Sequence, residues 1–99
     1  MKAVRCHEWG DPDVLTVEDI EAPRPGGAEV LIRVEASAVN FTDTLIVAGK
    51  YQFKPKLPHI PGHELAGIVL ETGEGVTQCA VGDRVIASAR QGGGFAEEY

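Results

Sequence analysis

Turn chemistry cuts this chain into short pieces, and that limits its folds more than any other feature. Twelve Gly and six Pro fall among 99 residues. They gather at Gly10-Asp11-Pro12-Asp13, Pro23-Arg24-Pro25-Gly26-Gly27, Gly49, Pro55, Pro58 and Pro61, Gly73-Glu74-Gly75, Gly82-Asp83 and Gly92-Gly93-Gly94. Gly supplies positive φ, while Pro fixes φ and removes a donor, so such clusters end helices and strands alike. No stretch is left for a long helix. About six short strands and one short helix remain, spaced as in a barrel or sandwich, and the length suits one small domain with a modest core.

Between the turns, the periods assign the pieces. Residues 2–8 read as a first strand. Residues 14–20 alternate, with Val14, Leu15, Val17 and Ile20 set against Thr16, Glu18 and Asp19. Residues 29–39 form the strongest strand, placing Val30, Ile32, Val34, Ala36 and Ala38 on one face and Arg33, Glu35 and Ser37 on the other. The period then becomes helical: Phe41, Leu45 and Ala48 share a face, Asn40 suits the N-cap, Asp43 the first turn and Gly49 the C′ position. Residues 65–71 and 84–88 read as further strands, and residues 95–99 start a last one.

The charge of −6 removes some functions. Nucleic acid and anionic membrane surfaces are bound by clustered Lys and Arg, so neither is an expected partner. No apolar run approaches the roughly 20 residues of a membrane span, and residues 1–5 carry no signal-peptide pattern. Two Cys, Cys6 and Cys79, make no disulfide framework; a reducing cytoplasmic location is expected, with Cys79 as a small buried hydrophobe.

Four places could carry chemistry. In "PHIPGHELAG" (58–67), His63 and Glu64 follow a Pro-Gly turn, and either could bind zinc. A catalytic zinc needs three protein ligands, and the third would have to come from Cys6, His7, His59 or Cys79. Adjacent residues on an extended chain face opposite ways, so His63 can equally be a loop histidine bonded to backbone or to Glu64. Gly73-x-Gly75 and Gly92-Gly93-Gly94 lack the strand–turn–helix setting of a phosphate cradle and read as turns. Asn40 and Asp43 read as helix-capping residues, and Tyr51 as a half-buried aromatic. These residues alone name no reaction.

"ASAVNFTDTLIVAGKY", "IPGHELAGIVLETGEGV" and "VGDRV" resemble the N-terminal catalytic domain of the medium-chain dehydrogenase/reductase superfamily, over the whole chain. "NFTD" followed by "GKY" is most similar to its zinc-independent quinone oxidoreductases. The resemblance implies a mainly β fold, a partly open GroES-like β-barrel with one or two short helices. It implies that residues 1–99 are the catalytic wall of a longer chain, whose Rossmann domain, absent here, binds NADPH. A strand pattern that stops at Tyr99 fits that expectation. The implied reaction is hydride transfer to a quinone or an α,β-unsaturated carbonyl, with a homodimer of the full-length enzyme left open.

The resemblance also assigns residues. Asn40 and Tyr51 are expected to line the nicotinamide cleft, with Tyr51 and His63 as candidate hydrogen-bond donors to the substrate. Zinc alcohol dehydrogenases place a metal-binding His where this chain has His63, but a Cys where it has Asn40. Asn is a poor zinc ligand, so no metal site and no zinc are expected. Leu45 stands where a further Tyr can stand in the quinone oxidoreductases, making the cleft less polar. The alternatives are a zinc alcohol dehydrogenase-type domain with unusual ligands and a non-enzymatic GroES-like binding module.

Overall fold

A computed structural model describes all 99 residues. The elements are β1 (Lys2–Cys6), a 3-10 turn (Pro12–Val14), β2 (Leu15–Asp19), β3 (Val30–Ala38), α1 (Phe41–Val47), β4 (Glu64–Thr72) and β5 (Arg84–Ser88). β1 and β2 form an antiparallel pair, and β3, β4 and β5 form an antiparallel sheet with β4 in the centre.

Residues 95–99 join the two sheets. On one side Val4 N–H donates to the Phe95 carbonyl at 2.8 Å and Glu97 N–H to that of Lys2 at 3.0 Å. On the other side Ile32 and Tyr99 exchange both backbone bonds, at 2.7 and 2.9 Å, and Val34 N–H reaches the Glu97 carbonyl at 2.8 Å. The expected last strand is thus a short seam, with isolated bridges at Ala96 and Glu98. β2 and β5 remain free edges, which leaves the mainly β, GroES-like barrel open. No helix is long and apolar enough to cross a membrane.

The core is small, with 14 of 99 residues buried. Its centre is Ile32, Leu65 and Ala89, flanked by Val30, Val34, Val85, Ala87 and Tyr99. Two bulges shape it. The β3–β4 pairing shifts between Leu31 and Ile32, where Leu70 is extra, and between Val34 and Ala36, where Glu35 is extra. An extra residue turns the following side chains to the other face. The even-numbered face expected for β3 therefore holds only as far as Val34. Beyond Glu35 the inward residue is Ser37, whose hydroxyl donates to the Gly94 carbonyl at 2.5 Å, while Ala36 and Ala38 are exposed.

Four further expectations change. β1 stops at Cys6, and Val17 on β2 is 71% exposed. The buried side of α1 is Asp43, Ile46 and Val47, with Phe41 pointing outward. Cys79 is only half-buried. The helix stop is as expected: Gly49 (φ 69) follows the last turn, its N–H bonds Ile46 and that of Lys50 bonds Leu45, both at 2.9 Å, a Schellman closure.

Candidate active site

The start of α1 and the start of β4 meet around one carboxylate. Asp43, at the third position of the helix, is 3% exposed. Its Oδ2 accepts the Asn40 backbone N–H at 2.8 Å. Its Oδ1 accepts the Gly62 N–H at 3.2 Å and faces His63 Nδ1 at 2.8 Å. Three donors satisfy a buried carboxylate that would be costly alone. One side chain thereby ties the helix start to the loop entering β4.

That loop is aimed by its neighbours. His59 exchanges backbone bonds with Cys6 at 2.8 and 2.9 Å, and residues 60–63 run beside residues 89–95 through bonds such as Ala89 N–H to the His63 carbonyl at 2.7 Å. His63 thus turns inward to Asp43, and Glu64, one residue on, turns outward. There its Oε2 accepts from Asn40 Nδ2 at 2.9 Å. Asn40 is the N-cap and stands with Asp43 in the arrangement of a capping box, with the Asp43 N–H bonded to the Asn40 backbone carbonyl at 3.0 Å. Exposed Val39 and Phe41, at 77% and 76%, flank Asn40. An open groove lined by Ala36, Ala38, Ala66 and Ile86 leads up to Glu64.

The structure therefore brings Asn40 and His63 together through Asp43. No hydrogen bond ties half-buried Tyr51 to this cluster. The Nε2 atoms of His63 and of His59 are both buried without a partner. Burial, and then the nearby His63, hold the His59 imidazole below its ordinary pKa, against the opposing pull of Asp43. Burial likewise pushes the Cys6 thiol up, which makes it an inert core residue. Asp43 was legible only as a capping residue; its burial was signalled by nothing in the helical period.

Zinc chemistry of the alcohol dehydrogenase kind can be tested against these donors. His63 Nδ1 is engaged by Asp43, Glu64 by Asn40, and an amide stands where a thiolate would be needed. No three His, Cys, Asp or Glu side chains are gathered as a metal ion requires. These residues do not fit zinc.

Residues 26–98 match the model of the alcohol dehydrogenase GroES-like domain. The chain belongs to that family. Its relatives include rat (Rattus norvegicus) quinone oxidoreductase, 43% identical over 98% of this chain and 30% of that protein. Another is a quinone oxidoreductase-like protein 2 homolog from Nematostella vectensis, 46% identical over 98% of this chain and 26% of that one. The crystal structure of Escherichia coli quinone oxidoreductase complexed with NADPH superimposes with a TM-score of 0.94 at 32% identity, covering all of this chain and 30% of that one. This GroES-like chain thus spans under a third of the relatives it matches, and its likeness is to quinone oxidoreductases of the medium-chain dehydrogenase/reductase superfamily.

Proposed function

We propose that this GroES-like domain is the substrate-facing wall of a zinc-independent, NADPH-dependent oxidoreductase that reduces quinones or α,β-unsaturated carbonyls. The observation that carries the reading is the anchored Asn40. Its backbone is held by Asp43 and its amide by Glu64, so a polar group of fixed orientation stands between two exposed apolar residues. A flat, largely apolar acceptor suits the groove of Ala36, Ala38, Ala66 and Ile86. NADPH would supply the hydride. Its phosphates need a cradle that these 99 residues lack, so the dinucleotide is held mainly by a Rossmann part outside them, and Asn40 and Tyr51 meet the nicotinamide end.

With no Lewis acid, positioning carries most of the rate, and donors must meet the developing oxyanion. Tyr51, half-exposed, supplies one such donor. His63 can be a second only as the imidazolium, since its Nδ1–H is already given to Asp43, and its closed-over Nε2 makes it the less accessible of the two. The test is steady-state NADPH oxidation by the full-length protein with a quinone and an enone, with and without a strong chelator. Reduction that survives chelation, and exceeds oxidation of simple alcohols, is expected. Activity lost together with stoichiometric zinc would overturn the proposal.

A further inference from the structure

An Asn side chain has two ends of opposite sense: Nδ2 donates and Oδ1 accepts. Which end faces a ligand decides what that ligand must be. Asn40 Nδ2 points at Glu64 Oε2, 2.9 Å away. An ionised carboxylate can only accept, so this neighbour admits one rotation of the amide and excludes the other, which would set two acceptor oxygens together. Oδ1 lies toward the Asp43 N–H in the manner of a capping box, but that N–H is bonded to the Asn40 backbone carbonyl at 3.0 Å, and an amide oxygen with two lone pairs keeps acceptor capacity for a ligand. The backbone beneath it cannot swing to compensate, because Asp43 holds the Asn40 N–H at 2.8 Å.

We propose that Glu64 is a positioning residue that sets the polarity of Asn40, so that the site offers a carbonyl acceptor and selects a ligand carrying an N–H donor. The carboxamide of a nicotinamide ring has that donor, and this assignment rests on the reading under Proposed function. Glu64 itself touches no ligand; it acts through Asn40. Its own direction follows from the fold. Glu64 pairs with Ala38 on β3, beyond the bulge at Glu35, and stands on the exposed face with Ala36 and Ala38.

The experiment uses the full-length enzyme and two reduced dinucleotides, NADPH and its 3-acetylpyridine analogue, in which a methyl replaces the amide NH2. The quantity read is the ratio of their kcat/KM values, compared between parent and variant so that intrinsic reactivity cancels. Glu64→Gln lets the Asn40 amide turn either way, and Nδ2 can then meet the acetyl oxygen. The ratio should fall by about tenfold. Glu64→Lys, a donor only, imposes the opposite rotation and should lower the ratio at least as far. Glu64 is exposed, so melting temperatures should stay near the parent's. Variants that turn over with the parent's ratio, within about twofold, overturn the role of Glu64. A parent enzyme that reduces neither quinones nor enones overturns the functional reading, and this inference with it.

Discussion

Where the chain enters β4 it passes within two residues from a polar hub to an apolar core. His63 bonds Asp43, and Leu65 packs against Ile32 and Ala89. Both regions are small and buried, yet they are built on different terms. Around Leu65, many weak contacts share the load, and a lost methylene is felt in proportion to the space it leaves. Around Asp43, each of three donors has this one acceptor, and removing it orphans them all at once. Apolar regions lose stability by degrees; a polar hub with one centre loses it in steps. That would suit the role proposed for Asn40, which needs a single orientation.

The largest effect tests the apolar side. A Cβ on Gly67 would lie 2.1 Å from the Arg33 carbonyl oxygen and 2.6 Å from Ile32 Cγ2. Gly67→Ala should therefore cost at least about 4 kcal/mol in denaturant titrations, or prevent folding. Next comes the hub. Asp43→Ala should cost about 3 kcal/mol, and Asp43→Asn distinctly less, because an amide oxygen still accepts. If Asp43→Ala is milder than Leu65→Ala, for which about 2–3 kcal/mol is expected, the contrast between the two regions fails.

A smaller effect concerns His59, which lies four residues before His63 and has no carboxylate bonded to it. Its pKa is lowered on folding from an ordinary 6.5. The unfolded chain then binds more protons just below that pH, so stability is full above about 6.5 and declines as the pH falls toward the folded-state value. The slope is at most about 1.4 kcal/mol per pH unit. Melting temperatures between pH 7 and pH 5 should show the decline, and His59→Gln should flatten it. The smallest stability change is expected for Asn40→Ser, within about 0.5 kcal/mol, since Ser and Asn are nearly equal as N-cap residues. Activity of the full-length variant should nonetheless fall about tenfold in kcat/KM.

Local chemistry was readable in advance. Gly49 sits where a helix has to stop, and Arg84–Ser88 has the limits its flanking turns imply. The inward face of α1 was not readable, because a helical period counts Asp43 as polar and Phe41 as apolar. The fold reverses them: Asp43 finds three donors inside, and Phe41 is left beside Asn40 at the site. The partnership of Asp43 with His63, 20 residues apart, has no local signature either. Neither has the bulge at Glu35, since alternation in residues 29–39 runs through it unbroken. The family resemblance pointed to Asn40 and His63, while the carboxylates bonded to them, Asp43 and Glu64, emerged only from packing.

The two bulges in the β3–β4 pair behave as opposite dislocations in a lattice. Leu70 adds a residue to one strand and Glu35 adds one to the other, so pairing before the first and after the second shares a single frame. Only Ile32–Val34, facing Gly67–Val69, runs out of phase. Each defect can nevertheless be repaired where it stands. Without Glu35, Val34 would still face Gly67 and Ala36 would still face Ala66, so Glu64 would keep its place opposite Ala38. Only the local bend and added twist of the strand would be lost. Length changes at these two points can therefore be inherited one at a time.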